Sequence, residues 1–182
     1  MIDLMRDPAV RGPEIRSGLM EMIASLPGGV MYEIGSYAGE SAEMFAAHFD
    51  EVHCVDPWEG STHHVPGDDE VEAEFDRRAS PLLNIIKHKG RSVFVAQSVP
   101  DRSLDFVYID ADHTMSAVMS DLAAWWPKVR VGGEIGGHDF LPDDFEWTGV
   151  ARAVRMFFPR GQIILYPDTS WKIGWKKKER YA

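Results

Sequence analysis

Short apolar runs alternate with helical segments along most of this chain, and this alternation constrains its fold more than any other feature. VMYEIG at 30–35, EVHCVDPW at 51–58 and LDFVYID at 104–110 are rich in β-branched or aromatic residues, and each precedes a segment with helical spacing. Such alternation is typical of right-handed βαβ units, which assemble into a parallel sheet between layers of helices. The sequence therefore predicts an α/β fold, a Rossmann-like three-layer sandwich of about seven strands, mostly parallel.

The C-terminal part departs from this alternation. IILYP at 163–167 and WKIGWK at 171–176 predict two closing strands with a short turn between them, and therefore an antiparallel edge of the sheet. We find no internal repeat, and 182 residues suit one domain that spans 1–182.

Composition excludes several classes of function. The chain carries 19 Lys and Arg against 29 Asp and Glu, a net charge of −10, which disfavours binding to a nucleic-acid backbone. No apolar run approaches the roughly 20 residues that a membrane span requires. A single cysteine, Cys54, cannot form an internal disulfide and suits a reducing compartment. We therefore expect a cytoplasmic protein that binds neither nucleic acid nor a membrane.

The stretch EIGSYAG at 33–39 lies between the first predicted strand and a helix. Gly35 can adopt backbone angles that other residues disfavour, and Gly39 allows a ligand to approach the start of the helix closely. Asp56 ends the next strand, where a carboxylate can accept hydrogen bonds from both hydroxyls of a ribose. The two features together predict a cofactor that contains adenosine.

The charges of this glycine turn bear on the type of cofactor. Tyr37 replaces the middle glycine of a dinucleotide-binding motif, and Glu33 and Glu40 are unfavourable neighbours for phosphates. The same acids favour a cofactor that carries an ammonium and a sulfonium. A nucleotide-dependent oxidoreductase on the same fold remains an alternative.

Ionisable residues follow two predicted strands whose ends should be neighbours. Asp110, Asp112 and His113 follow the strand at 104–110, and His138 and Asp139 follow a glycine-rich stretch at 132–137. Ligands of α/β proteins bind at the carboxyl ends of parallel strands. Carboxylates from two such ends can hold a divalent cation, so the sequence predicts a metal site there.

The segments EIGSYAGES, VDPW, GRS, LDFVYIDADH and GGEIGGHD, over roughly 28–140, resemble the class I S-adenosylmethionine-dependent methyltransferases. The chain is especially similar to metal-dependent O-methyltransferases of small molecules. This resemblance implies methyl transfer from S-adenosylmethionine to a hydroxyl of a sugar, glycoside or phenol. It also implies that Glu33 and the glycines bind the methionine part, Asp56 the ribose, and Trp58 and Ser92 the region of the adenine. The implied cofactor-binding residues are Glu33, Gly35, Ser36, Tyr37, Gly39, Asp56, Pro57, Trp58, Ser92 and Asp110.

The resemblance implies catalytic roles for Asp110 and His113. It implies that Asp110, His138 and Asp139 hold Mg²⁺ or Mn²⁺, and that His113 accepts the proton of the acceptor hydroxyl. His138 departs from the family pattern, which usually has an acid at this position, and imidazole is a better ligand for Mn²⁺, Fe²⁺ or Zn²⁺ than for Mg²⁺. His138 could therefore instead bind Asp139 or the substrate.

Several alternatives remain open at this point. They are a metal-independent methyltransferase on another acceptor, a hydroxylase-like branch with similar segments, and a non-catalytic module that binds the cofactor. His63 and His64 fit either a contact with the substrate or an exposed loop. The expected partner is a small-molecule acceptor, and a homodimer is also possible.

Overall fold

One sheet of seven strands forms the centre of the computed structural model, which describes residues 14–59, 68–141 and 149–174. Their order across the sheet is β3-β2-β1-β4-β5-β7-β6. Strands β1 to β5 are parallel, whereas β7 pairs antiparallel with both β5 and β6. The strands are β1 Val30–Ile34, β2 Glu51–Asp56, β3 Ile85–Lys89, β4 Leu104–Ile109, β5 Val129–Gly137, β6 Ile163–Leu165 and β7 Trp171–Ile173.

Helices cover both faces of the sheet, so the predicted three-layer α/β sandwich is confirmed. One buried cluster packs Leu122 and Val154 against the sheet, and a second packs Met22, Phe45 and Phe75 against the opposite face. The helices are α1 Glu14–Ala24, α2 Glu40–Ala46, α3 Asp68–Ala79, α4 Ser92–Val95, α5 Met115–Trp125 and α6 Gly149–Phe157. Among the described residues, no helix has both the length and the apolar character needed to cross a membrane.

Backbone hydrogen bonds continue past the carboxyl ends of the parallel strands and into the turns that follow them. The backbone N–H of Gly35 donates to the carbonyl of Val55 at 2.8 Å, and that of Asp110 donates to Ile34 at 2.8 Å. The N–H of His138 continues the pattern with Ile109 at 3.1 Å. The first residue after each of β1, β4 and β5 is therefore fixed by a neighbouring strand, which limits how far the turns can move.

A buried ion pair joins β5 to the antiparallel edge. Lys172 Nζ lies 3.0 Å from Glu134 Oε2, and both side chains are less than a tenth exposed. The ammonium also donates to Ser25 Oγ at 2.8 Å, which connects the pair to the chain just after α1. Removing one partner of such a pair leaves a charge without compensation in a poorly solvated position.

We expect Glu134→Ala to lower the free energy of unfolding by about 3 to 5 kcal/mol, because it leaves the buried ammonium of Lys172 unpaired. Urea unfolding followed by circular dichroism measures this change. Asp101→Ala is the matched control, since it removes an exposed partner of Lys128 and should cost less than about 1 kcal/mol. Equal losses in the two variants would contradict this account of the buried pair.

Candidate active site

The turn between β1 and α2 depends on glycine at two positions. Gly35 has φ +92° and Gly39 has φ +85°, both in the left-handed region. A Cβ on Gly35 would also overlap the carbonyl oxygen of Asp110. The glycine at 35 therefore allows β1 and β4 to approach each other at the edge where the turn begins.

Glu33 is a fully buried carboxylate at this edge. Neither of its side-chain oxygens has a well-oriented hydrogen-bond partner among the described residues. Burial raises the pKa of Glu33 to about 7, an effect that the nearby side chains of Ser41 and Ser36 partly oppose. A buried carboxylate in this state would gain from a cationic ligand such as an ammonium group.

Asp56 connects two turns through one carboxylate. Its Oδ2 accepts the backbone N–H of Tyr37 at 3.0 Å, and its Oδ1 accepts that of Trp58 at 2.7 Å. Each carboxylate oxygen can accept more than one hydrogen bond. Asp56 can therefore hold both turns and still accept hydrogen bonds from a ribose.

Trp58 contacts residues of α3 and β3. Its side chain is buried, its ring packs against Phe75, and the Lys87 ammonium lies 4.7 Å from the ring centroid. Its indole N–H donates to the carbonyl of Tyr37 at 2.8 Å. In this arrangement Trp58 holds the glycine turn in place. Pro57, beside it, is half-buried.

Asp110, His113 and Asp139 form a cluster at the ends of β4 and β5. His113 Nε2 lies 3.0 Å from Asp139 Oδ2 and 3.5 Å from Asp110 Oδ1. One ligand atom from each residue can be chosen so that all three lie within 4.8 Å of one another. The sequence predicted that these two strand ends are adjacent, and the structure confirms this part of the prediction. We call this group the Asp–His–Asp cluster.

The charges within this cluster are strongly coupled. Contacts with Asp110 and then Asp139 raise the pKa of His113 to about 10, although burial opposes the rise. Burial would raise the pKa of Asp139, but His113 and His138 together hold it well below its usual range. Without another cation, His113 therefore carries the positive charge between the two carboxylates at neutral pH.

His138 lies beside the Asp–His–Asp cluster. Its Nδ1 is 3.3 Å from Asp139 Oδ1, and its Nε2 is 4.0 Å from Oδ2 of the buried Asp168. Both oxygens of Asp168 also accept hydrogen bonds from Ser170. The sequence analysis missed Asp168, because it lies in the turn between β6 and β7 and belongs to no recognisable motif.

The structure places the remaining predicted residues as follows. Ser36 is buried in the glycine turn, and its hydroxyl has no well-oriented partner among the described residues. Ser92 begins α4 and contacts two residues of α5 that the sequence analysis did not assign to the site. His63 and His64 lie outside the described residues. Cys54 and Trp125 are fully buried.

Comparison with known proteins decides the family. Residues 32–140, well over half of the chain, match a family model described as a methyltransferase domain. The chain belongs to this methyltransferase family. The predicted class I S-adenosylmethionine-dependent methyltransferase is thereby confirmed, in preference to the oxidoreductase alternative.

Solved structures of other proteins share the fold of this methyltransferase. TomG from Streptomyces achromogenes, solved with S-adenosylmethionine, has a TM-score of 0.63 at 15% identity, over 90% of this chain and 82% of that one. An O-methyltransferase described as putative, from Klebsiella pneumoniae, has a TM-score of 0.61 at 18% identity, over 89% and 80%. CalS11, described as a TDP-rhamnose 3′-O-methyltransferase of calicheamicin biosynthesis, has a TM-score of 0.58 at 16% identity, over 87% and 76%.

We expect His113 of this methyltransferase to remain protonated well above pH 6.5 when chelator is present, because two carboxylates raise its pKa to about 10. The folded pKa exceeds the unfolded value of about 6.5, so the stabilisation is complete below that pH and is lost as the pH rises through the folded pKa. An NMR titration of the ring measures the folded pKa. Asp139→Asn should lower it and the remote Asp101→Asn should not, whereas titration near 6.5 in the wild type would contradict the assignment.

Proposed function

We propose that this methyltransferase acts on a hydroxyl oxygen of a small molecule, such as a sugar, glycoside or phenol. The observation that carries the proposal is the Asp–His–Asp cluster, which lies at the same sheet edge as Glu33 and Asp56. Two carboxylates beside an imidazole form a suitable group for removing a proton from a hydroxyl. TomG, the Klebsiella protein and CalS11 are each described as O-methyltransferases, which supports this choice of acceptor atom.

The cofactor would occupy the edge formed by the turns after β1, β2 and β4. We propose that Glu33 and Asp110 face its ammonium and that Asp56 accepts the ribose hydroxyls, while residues 35–39 line the path between them. S-adenosylmethionine bound there would supply a methyl carbon on positively charged sulfur, with S-adenosylhomocysteine as the leaving group. The acids favour this positive charge, and the fixed turns hold the reacting groups in line.

His113 is the proposed base for the acceptor hydroxyl. Its Nε2 lies within 3.5 Å of an oxygen of each of two carboxylates, whose negative charge stabilises the imidazolium that forms when it accepts a proton. To act as a base, His113 must first be neutral, and its contacts with Asp110 and Asp139 oppose this. His113 would therefore become available as a base if another cation offset the charge of these carboxylates.

Two carboxylates from neighbouring strands form a donor set that fits a divalent cation. We propose that Asp110 and Asp139 hold Mn²⁺ or Mg²⁺, which would bind the acceptor oxygen and lower the pKa of its hydroxyl. His138 was predicted as a further ligand, and its Nδ1 lies beside Asp139, where it can orient that carboxylate. A nitrogen ligand from His138 would favour Mn²⁺ over Mg²⁺.

One observation favours a second candidate function. The imidazole of His113 already lies between the two carboxylates, where it supplies the charge that a metal would otherwise provide. A metal-independent methyltransferase would use this arrangement on an acceptor that does not need to lose a proton before transfer. The two candidates differ in their response to chelation.

We expect Asp56→Ala to weaken binding of S-adenosylhomocysteine by roughly 1.5 to 3 kcal/mol, because the ribose loses its two acceptors and the two turns lose their connection. Isothermal titration calorimetry at neutral pH measures the change. Asp50→Ala, an exposed acid just before β2, is the control. An unchanged dissociation constant in Asp56→Ala would contradict the assignment of the ribose.

We expect transfer of labelled methyl groups to a panel of sugars and phenols to require a metal. Chelation should abolish transfer, and Mn²⁺ should restore it. His113→Ala should lower kcat by about 10²- to 10⁴-fold because the general base is lost, with little change in the affinity for S-adenosylhomocysteine. His48→Ala is the histidine control, since His48 lies in the turn after α2. Full activity after chelation would support the metal-independent candidate instead.

A further inference from the structure

A second buried carboxylate, Asp121, lies in α5 outside the Asp–His–Asp cluster. Its Oδ1 accepts the hydroxyl hydrogen of Ser92 at 2.5 Å. The same Ser92 Oγ accepts the indole N–H of Trp125 at 2.7 Å. Asp121 is only 5% exposed and Trp125 is fully buried. These three side chains, which we call the Ser92 network, connect α5 to the first residue of α4.

Burial of Asp121 is costly and therefore calls for an explanation. Its pKa is raised to about 6, chiefly by burial, although the hydrogen bond from Ser92 opposes the rise. An apolar residue at this helix position would avoid the cost of burying a charge. What a polar network adds is a defined orientation for each of its members, here for the hydroxyl of Ser92.

Ser92 lies where the base of the cofactor should be. Along the sheet edge, Asp110 follows β4, Glu33 lies in β1, Asp56 ends β2, and residues 90–92 follow β3. The N–H of Gly90 donates to the backbone carbonyl of Asp56 at 3.0 Å, so this turn adjoins the proposed ribose site. With the methionine end at β1 and β4 and the ribose at β2, the adenine comes next, at the turn after β3.

The Ser92 network fixes which hydrogen bond this turn can still offer. A hydroxyl group has one hydrogen to donate and two lone pairs to accept with. An ionised Asp121 can only accept and an indole N–H can only donate, so they take the hydrogen and one lone pair. One lone pair remains at Ser92. It can accept a hydrogen bond from the exocyclic amino group of adenine, but it would repel a carbonyl oxygen at the same position.

We propose that Asp121 is a positioning residue for cofactor recognition, which commits the hydroxyl hydrogen of Ser92 so that the turn accepts a 6-amino purine and rejects a 6-oxo purine. This inference rests on the proposed cofactor site. It involves neither the acceptor nor the metal, and it assigns specificity for the base to a helix residue that need not touch the ligand.

The test compares S-adenosylhomocysteine with S-inosylhomocysteine by calorimetry at pH 7.5. We expect the wild type to prefer the adenosyl compound by about tenfold or more. The inosyl compound would place its carbonyl oxygen against the lone pair of Ser92, and two acceptors cannot form a hydrogen bond. In Asp121→Leu the freed hydroxyl can donate, and the preference should fall to within about twofold of equality. Asp105→Leu is the matched control, because Asp105 binds the backbone N–H of Val30 at the opposite edge of the sheet and should leave the preference intact.

A second variant keeps the proposal testable if Asp121→Leu does not fold. Asp121→Asn keeps the size of the side chain, but its amide can donate as well as accept, so the hydroxyl hydrogen of Ser92 is no longer committed and the preference should fall by a smaller factor. The proposal would be overturned if the wild type showed no preference between the two compounds. It would also be overturned if a folded variant of Asp121 kept the full preference of the wild type. Failure of the wild type to bind either compound would instead contradict the cofactor site on which the proposal rests.

Discussion

Hydrogen bonds from the residues that immediately follow the strands hold the functional edge of this protein together. The N–H groups of Gly35, Asp110 and His138 each bond to a neighbouring strand, so the ladder of the parallel sheet extends into the turns. Gly35 permits this because any side chain there would overlap the backbone of Asp110. The register of the sheet therefore determines the relative positions of the acidic side chains more than the packing of the loops does.

The acids at this edge differ in how their charge is compensated, and this difference distinguishes their proposed roles. Asp56 is stabilised by two backbone N–H groups, and Asp110 and Asp139 share the imidazole of His113. Glu33 has no comparable partner among the described residues. A positively charged ligand would be attracted most strongly where compensation is least complete, which is beside Glu33.

The sequence predicted those features that depend on pattern or on short spacing. The alternation of strands and helices, the glycine turn and the convergence of Asp110 with Asp139 follow from local signals and from the rules of parallel sheets. The contact of Trp58 with Phe75 in the overlying α3 follows only from the tertiary structure, and its place near the adenine stays a prediction. The contact between Ser92 and Asp121 spans 29 residues and belongs to no motif, so a sequence pattern could not reveal it.

The double attachment of Asp56 has a consequence for catalytic turnover. Because the glycine turn and the turn after β2 are both tied to one carboxylate, hydrogen bonds within the chain hold the backbone of the proposed nucleoside site. Little of the binding free energy then has to be used to order the backbone. At the proposed site, spent nucleoside would accordingly be exchanged for a fresh molecule without refolding of these turns, which would favour rapid release of product between successive rounds of reaction.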